Sequence, residues 1–255
     1  NGKLIIESNT LFNGTYNKNI EIKSETKNGI IIFYGKQNDI NYTNFSDFNI
    51  DKKLNNYFLT SPITFYNSEV KIQNAMFDNF HSEDQLNIVN SKFEINNNLF
   101  KNSYSDAVDI DSGVGSIKNI IFENCGNDCL DFSHSNVSVN KFKSINSGDK
   151  AISVGEKSSV NLKNINISKC ELICIAIKDE SNVSLTDITI DNSKYGIVAF
   201  NKKGNYKTPK LVIDNLKISN VTFNISEENN NSIELINNNN FIVKKINTDI
   251  IKSFY

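Results

Sequence analysis

Asp84-Gln85-Leu86-Asn87-Ile88, Asp106-Ala107-Val108-Asp109-Ile110 and Asp128-Cys129-Leu130-Asp131-Phe132 are three copies of one phrase, set 22 residues apart. Lys150-Ala151-Ile152-Ser153-Val154 continues the column at the same interval, and Cys174-Ile175-Ala176-Ile177 follows it. A fixed period of this size marks a solenoid, in which each repeat is one coil stacked on the last. A second run follows the phrase in each coil, as in Val70-Lys71-Ile72, Phe93-Glu94-Ile95, Val137-Ser138-Val139 and Val160-Asn161-Leu162. A third apolar pair closes the coil, as in Met76-Phe77, Leu99-Phe100 and Ile121-Phe122. Apolar and polar residues alternate with the period of two that belongs to half-buried strands, and the spacing of three and four that a helix needs is missing. The expectation is an all-β parallel β-helix with three short strands per coil.

The clean period runs over residues 61–200. Residues 1–60 keep strand-like runs without clean phase and are expected to be irregular N-terminal coils of the same single domain. Asn201 to Pro209 interrupts the period, Leu211-Val212-Ile213 resumes it, and residues 201–255 are expected to be interrupted C-terminal coils, with loops at Asn229–Ser232 and Asn237–Asn240. Asn74, Asn97, Asn119, Asn164 and Asn215 occupy one slot per coil, with Asp187 in the same slot and Lys141 breaking the series. Stacked side-chain amides there would hydrogen-bond along the solenoid. Phe77, Phe100 and Phe122 form an inward column, read as core stacking.

Composition narrows the function. The chain has 255 residues and a net charge of −2, which predicts no nucleic-acid partner. No apolar run is long enough for membrane insertion. All 27 basic residues are Lys, so the guanidinium fork that grips carboxylates and phosphates is missing. Asn1 in place of Met points to a processed chain or a segment of a longer one; the partner expectation is a monomer, alone or linked to other domains. The four cysteines form two C-x-x-x-C pairs, Cys125/Cys129 and Cys170/Cys174, which fit neither zinc nor redox spacing. Free, part-buried thiols are the favoured reading, with a disulfide across the turn in each pair as the alternative.

The polar positions of the phrase give the candidate site. Val108 and Ile110 face the core, so Asp109 and Asp111 face outward, and Asp131 stacks beside Asp109. Asp106 and Asp128 form a parallel row at the turn edge, with Asp84 before them and Lys150 after. Adjacent strands lie about 4.8 Å apart, and two carboxylates at that spacing repel by roughly 3 kcal/mol at an effective dielectric near 20. A shared proton, a Lys or a bound divalent cation such as calcium must relieve this. Lys150 and Lys178 are the internal cations; Asp149 and Glu156 add acid nearby. Three readings stay open. One is a solvated acidic face. Another is a groove for saccharide or cation, to which Asp84, Asp111, Asp149 and Glu156 contribute. The third is a hydrolase or lyase site with Asp106, Asp109, Asp128 and Asp131 as catalytic carboxylates and Lys150 or Lys178 stabilising charge. Carboxylates on adjacent coils have the roughly 5 Å separation of retaining glycosidases. His81 and His134 lie in turns and are read as incidental.

The run Gly126–Ser133, followed by Gly148–Ser158, resembles the bacterial right-handed β-helix domains that accompany CotH-like kinase and lamin-tail domains. Ile63-Thr64-Phe65-Tyr66, Glu83–Ile88, Ser105–Asp111 and Ile177-Lys178-Asp179 support the likeness, which covers about residues 58–205. It implies a right-handed, pectin-lyase-like coil and an extracellular or cell-surface setting, and carries over no catalytic residue. A weaker likeness is to polygalacturonase-type glycosidases: Ser105-Asp106, Asn127-Asp128 and Ile177-Lys178 resemble three of their motifs. The chain departs from that pattern where Asn127 replaces an acid, Lys150 stands for a His and Ala176 replaces an Arg. The arginine base of pectate-lyase-like elimination has no counterpart in a chain without Arg. The leading expectation is therefore a surface or secreted carbohydrate-interacting module. A polysaccharide-active hydrolase, lyase or epimerase, and a purely structural spacer, are the alternatives.

Overall fold

Three alternating runs per coil become three columns of parallel strands, because each run has one apolar row to bury and the stacked coils bury it together. The computed structural model describes residues 2–25, 29–50, 59–228, 232–237 and 240–254; the loops expected at 229–232 and 237–240 lie largely outside them. The first column contains Gly2–Ile6, Gly29–Tyr34, Ile63–Tyr66, Asp84–Val89, Asp106–Asp111, Leu130–Ser133 and Lys150–Gly155. Residues 173–178, 195–200 and 223–227 extend it in unbroken parallel register.

Leu86, Val108, Leu130, Ile152, Ile175, Ile197 and Ile225 stack in register as one fully buried row of this column. The expected aromatic column is also inside and longer than foreseen: Phe45, Phe77, Phe100 and Phe122 stack at centroid separations of 4.6 to 5.2 Å, and Phe142, from the neighbouring row, tilts against Phe122 at 5.3 Å. Asn97 donates to Asn74, and Asn74 to Asn41, so the amide column exists. Lys141 keeps the same left-handed backbone (φ 61°) as its Asn neighbours, so it interrupts the amides but not the turn. A second amide column, Asn102, Asn124 and Asn146, lines another corner.

Several expectations need correction. The N-terminal coils differ in length and keep parallel register: Gly2 pairs with Gly29 and Ile31 with Ile63, intervals of 27 and 32 residues. Extra residues between well-paired strands hide the period from the sequence. The cysteines are not free thiols. Cys125 bonds Cys129 and Cys170 bonds Cys174, each with Cα atoms 5.4 Å apart. The tight corner brings residues four apart within bridging range. The chain also has a short helix, Thr248–Lys252, capped by the Asn247 side chain accepting from the Ile250 amide. Ile246, Ile251 and Phe254 pack against Ile173, Ala176, Tyr195, Val198 and Phe200. The outer face of the first column is therefore covered at its C-terminal coils.

Candidate functional site

The outer face of the first column carries three rows. Asp84 pairs with Asp106 in one row; Asp128 and Lys150 continue it through hydrogen bonds from the Asp128 amide to Asp106 Oδ1 (2.9 Å) and from the Lys150 amide to Asp128 Oδ1 (3.1 Å). Asn87, Asp109, Asp131 and Ser153 form the second row, and Val89, Asp111, Ser133 and Gly155 the third, with Lys178 one coil further. The turn that presents Asp128 is closed by the Cys125–Cys129 bond. It needs glycine at its apex: a Cβ on Gly126 would lie 2.0 Å from the Tyr104 carbonyl oxygen, and one on Gly148 2.1 Å from that of Gly126. Only glycine lets successive corners approach so closely.

The residues are placed as the period implies, but they are not the exposed set expected. Asp84, Asp128, Lys150, Glu156 and Lys178 are buried, while Asp106, Asp109, Asp111 and Asp131 are half-buried. Neighbouring outer-row side chains and the flanking corners shield one another, which an alternation pattern cannot register. Lys150 Nζ lies 3.6 Å from Asp128 Oδ1 and also contacts Asp149. Asn87 Nδ2 bridges Asp109 (3.1 Å) and Asp111 (3.3 Å), a role that only the register reveals. Asp106 Oδ1 accepts from Asn127 Nδ2 at 2.7 Å. Asp106, Asp128 and Asp131 each bring one carboxylate oxygen into a group lying within 4.8 Å of one another. That spacing matches oxygens around one calcium ion, whose ligands sit at about 2.3–2.6 Å. Glu156 stands apart, at the far corner with Ser133 and Lys203.

Lys203 belongs to a strap. Residues 201–209 fold back over the corner: the Lys202 and Lys203 amides both donate to Asp179 Oδ1 at 2.8 Å, and the Tyr206 hydroxyl lies 3.4 Å from His134 Nε2. The break in period at Asn201 marked this segment without showing where it goes. The acidic rows thus lie in a trough with a strap on one side and the helix-capped coils at one end.

Burial sets the proton affinities. It raises the Asp106 carboxyl to about 6, against hydrogen bonds from the Asp128 amide and Asn127. It raises Asp128 to about 8 despite the Lys150 ammonium. Asp84 and Asp109 are pushed well above the ordinary range, first by burial and then by neighbouring carboxylates. Burial opposes the charge of Lys178, but Asp131, Asp128 and Glu156 outweigh it and raise its pKa. Unfolded aspartate titrates near 3.9. Between about pH 4 and pH 8 the folded chain therefore holds more protons than the unfolded one, and stability falls as pH rises through this window. Glu156, held low by Lys203 and Ser133 against its burial, acts oppositely and only below its ordinary value of 4.5. The melting temperature is expected to be higher at pH 5 than at pH 8, and Asp128→Asn to flatten that slope; calorimetry across the range checks both. An unchanged slope in the variant would remove Asp128 from the titrating set.

A sequence profile described as the right-handed β-helix region matches residues 61–210. No curated protein matches the chain. Among solved structures, the catalytic domain of a GH87 α-1,3-glucanase in complex with tetrasaccharides is 10% identical, with a TM-score of 0.43 over 96% of this chain and 64% of that one. The enzymatically active domain of bacteriophage CBA120 tailspike protein 2 is 14% identical, with a TM-score of 0.46 over 96% and 49%. A mannuronic acid specific polysaccharide family 6 lyase from human gut microbiota is 9% identical, with a TM-score of 0.35 over 98% and 86%. The chain spans 64% of the glucanase domain's length. At these identities the likeness is one of fold.

Proposed function

This chain belongs to the right-handed β-helix family, and from that premise we propose that it is an extracellular or surface glycan-binding β-helix whose contact site is the acidic trough of the first column. One observation carries the reading. Asp106, Asp128 and Asp131 converge within 4.8 Å on half-buried and buried ground beside Lys150 and Lys178. A solvated acidic face would leave such groups apart and in water. Convergent carboxylates with buried ammonium donors offer the directed hydrogen bonds that sugar hydroxyls need. Two disulfides support an oxidising setting outside the cytosol. No described helix is long and apolar enough to cross a membrane.

A second reading, hydrolysis, is favoured by the split proton affinities. Asp128, at about 8, keeps a proton at neutral pH, while Asp106, at about 6, mostly does not. Two carboxyls whose environments set them apart are the arrangement an acid and a base require. Asp128 would then donate to the leaving oxygen, with Asp106 or Asp131 as base or nucleophile and Lys178 stabilising charge. A calcium ion on the same three carboxylates would replace the proton and favour binding without turnover.

Glycan-array binding and product release, each measured with calcium and with chelator, separate these readings. Binding that Asp106→Asn weakens at least tenfold, with no product, is the expected result. Product release abolished by Asp106→Asn or Asp128→Asn would establish the enzyme instead. Neither binding nor release in either condition would refute a glycan role.

A further inference from the structure

Followed toward the N-terminal coils, the second and third outer rows change character without leaving register. Asn87 pairs with Thr64, Thr64 with Ile32 and Ile32 with Ile5. Val89 pairs with Tyr66 and Tyr66 with Tyr34. The two tyrosine rings lie 5.7 Å apart and within 10° of parallel. Unlike the phenylalanine column they face solvent, with Tyr34 43% and Tyr66 41% exposed. A shallow cavity of about 390 Å³ lies over them, lined also by Ile5, Glu7, Ile32, Leu59 and Thr64. Tyr66 stands two coils from Asp111, roughly 10 Å at strand spacing.

We propose that Tyr34 and Tyr66 form a stacking subsite for an uncharged pyranose unit of a glycan that lies along the solenoid axis, with its other end on Asp106, Asp128 and Asp131. The proposal rests on reading the acidic trough as a glycan site. A pyranose ring has an apolar C–H face rimmed by hydroxyls. An exposed aromatic strip edged by Glu7 and Thr64 has the matching layout, with apolar centre and polar rim.

Charge selects the class of sugar. Among the described residues, those lining the tyrosine cavity include Glu7 and no cation. In the trough, six aspartates, of which Asp84, Asp109 and Asp128 have raised proton affinities, share Lys150 and Lys178 as the buried cations among the described residues, so neither ammonium is left over for a uronate. A uronic-acid chain would bring further carboxylates to both ends, and the chain has no Arg to bind them. The trough therefore favours neutral glycans over polyuronates. A neutral chain long enough to span both ends gains from both.

The test uses the whole chain with neutral gluco- and mannohexaoses, their disaccharides, and oligogalacturonides of the same lengths, by calorimetric titration. Neutral hexasaccharides are expected to bind more tightly than disaccharides and than oligogalacturonides. Tyr34→Ala/Tyr66→Ala is expected to lose about tenfold in hexasaccharide affinity, the size of an aromatic contact. Tyr66→Phe, which keeps the ring, is expected to retain it, and thermal unfolding checks that the coils remain intact. Hexasaccharide binding unchanged in the double alanine variant but lost in Asp106→Asn would overturn the subsite and leave the acidic site standing. Binding unaffected by either, or none by the wild type, would overturn both. Preference for oligogalacturonides would overturn the neutral class. Self-association that sedimentation detects in the wild type and not in the tyrosine variant, with glycan affinity unaltered, would assign the strip to a second copy instead.

Discussion

Phe100→Ala is expected to lower the unfolding free energy by about 3–5 kcal/mol, the range for truncating a buried aromatic ring. Phe100 is 1% exposed and lies between Phe77, at 4.6 Å and 5°, and Phe122, at 5.2 Å and 21°. Removing it opens a cavity that neither neighbour can fill, since each is held by the register of its own coil. A solenoid coil contacts only the coils beside it, so the defect should also uncouple the two halves. Urea unfolding is expected to show both a lower midpoint and a shallower slope. A loss below about 1 kcal/mol would mean that the ladder relaxes around the gap, which close-packed interiors resist. The coil that carries Phe100 runs directly into Asp106, so glycan affinity should fall in the same variant.

How far the sequence could be read follows from what each residue's neighbours share with it. Asp106, Asp128 and Lys150 were legible as one row because a constant interval of 22 carries a position from coil to coil, and alternation says which side Asp109 and Asp131 face. Tyr34 and Tyr66 end the similar phrases Ile31-Ile32-Phe33-Tyr34 and Ile63-Thr64-Phe65-Tyr66. Their pairing is not legible in the sequence, because 32 residues separate them instead of 22. Burial was not legible. Asp128 has the parity of the inward Leu130 and Phe132, so a period of two says nothing of its outward place at the turn edge, and its 4% exposure depends on corners and side chains contributed by other coils. The same limit applies to the strap at residues 201–209 and to Phe254, which covers Tyr195 and Phe200 from more than 50 residues away. Periodicity describes what repeats; these segments shape the trough because they do not repeat. The cysteine spacing was ambiguous for a related reason, since only the corner's conformation brings Cys125 and Cys129 into bonding range.

Lys150→Met is expected to destabilise the chain in a strongly pH-dependent way, because it keeps the aliphatic stem and removes the charge 3.6 Å from Asp128 Oδ1. At about pH 9, above the Asp128 value of about 8 that Lys150 helps to hold down, the variant's buried carboxyl must either stand ionised without this partner or hold its proton further above its ordinary range. Removing one member of a buried pair then costs about 3–5 kcal/mol. At pH 6 Asp128 holds its proton, needs little compensation, and the loss should be half of that or less. Asp128→Asn should remove this difference, since a neutral amide has no charge to strand. In the Asp128→Asn background, Lys150→Met should therefore cost about the same at both pH values, and the double-mutant coupling should exceed about 1 kcal/mol only at the higher one. A cost independent of pH in the single variant would instead assign the ammonium to Asp149, its other partner, whose side chain is 22% exposed. That outcome would bear on the chemistry as well as on stability. If Lys150 does not hold down the proton affinity of Asp128, Asp128 keeps its proton to higher pH. The alkaline limit of any acid-catalysed turnover would then move upward with it, so urea unfolding of four proteins at two pH values also locates the proton that a hydrolytic mechanism would use.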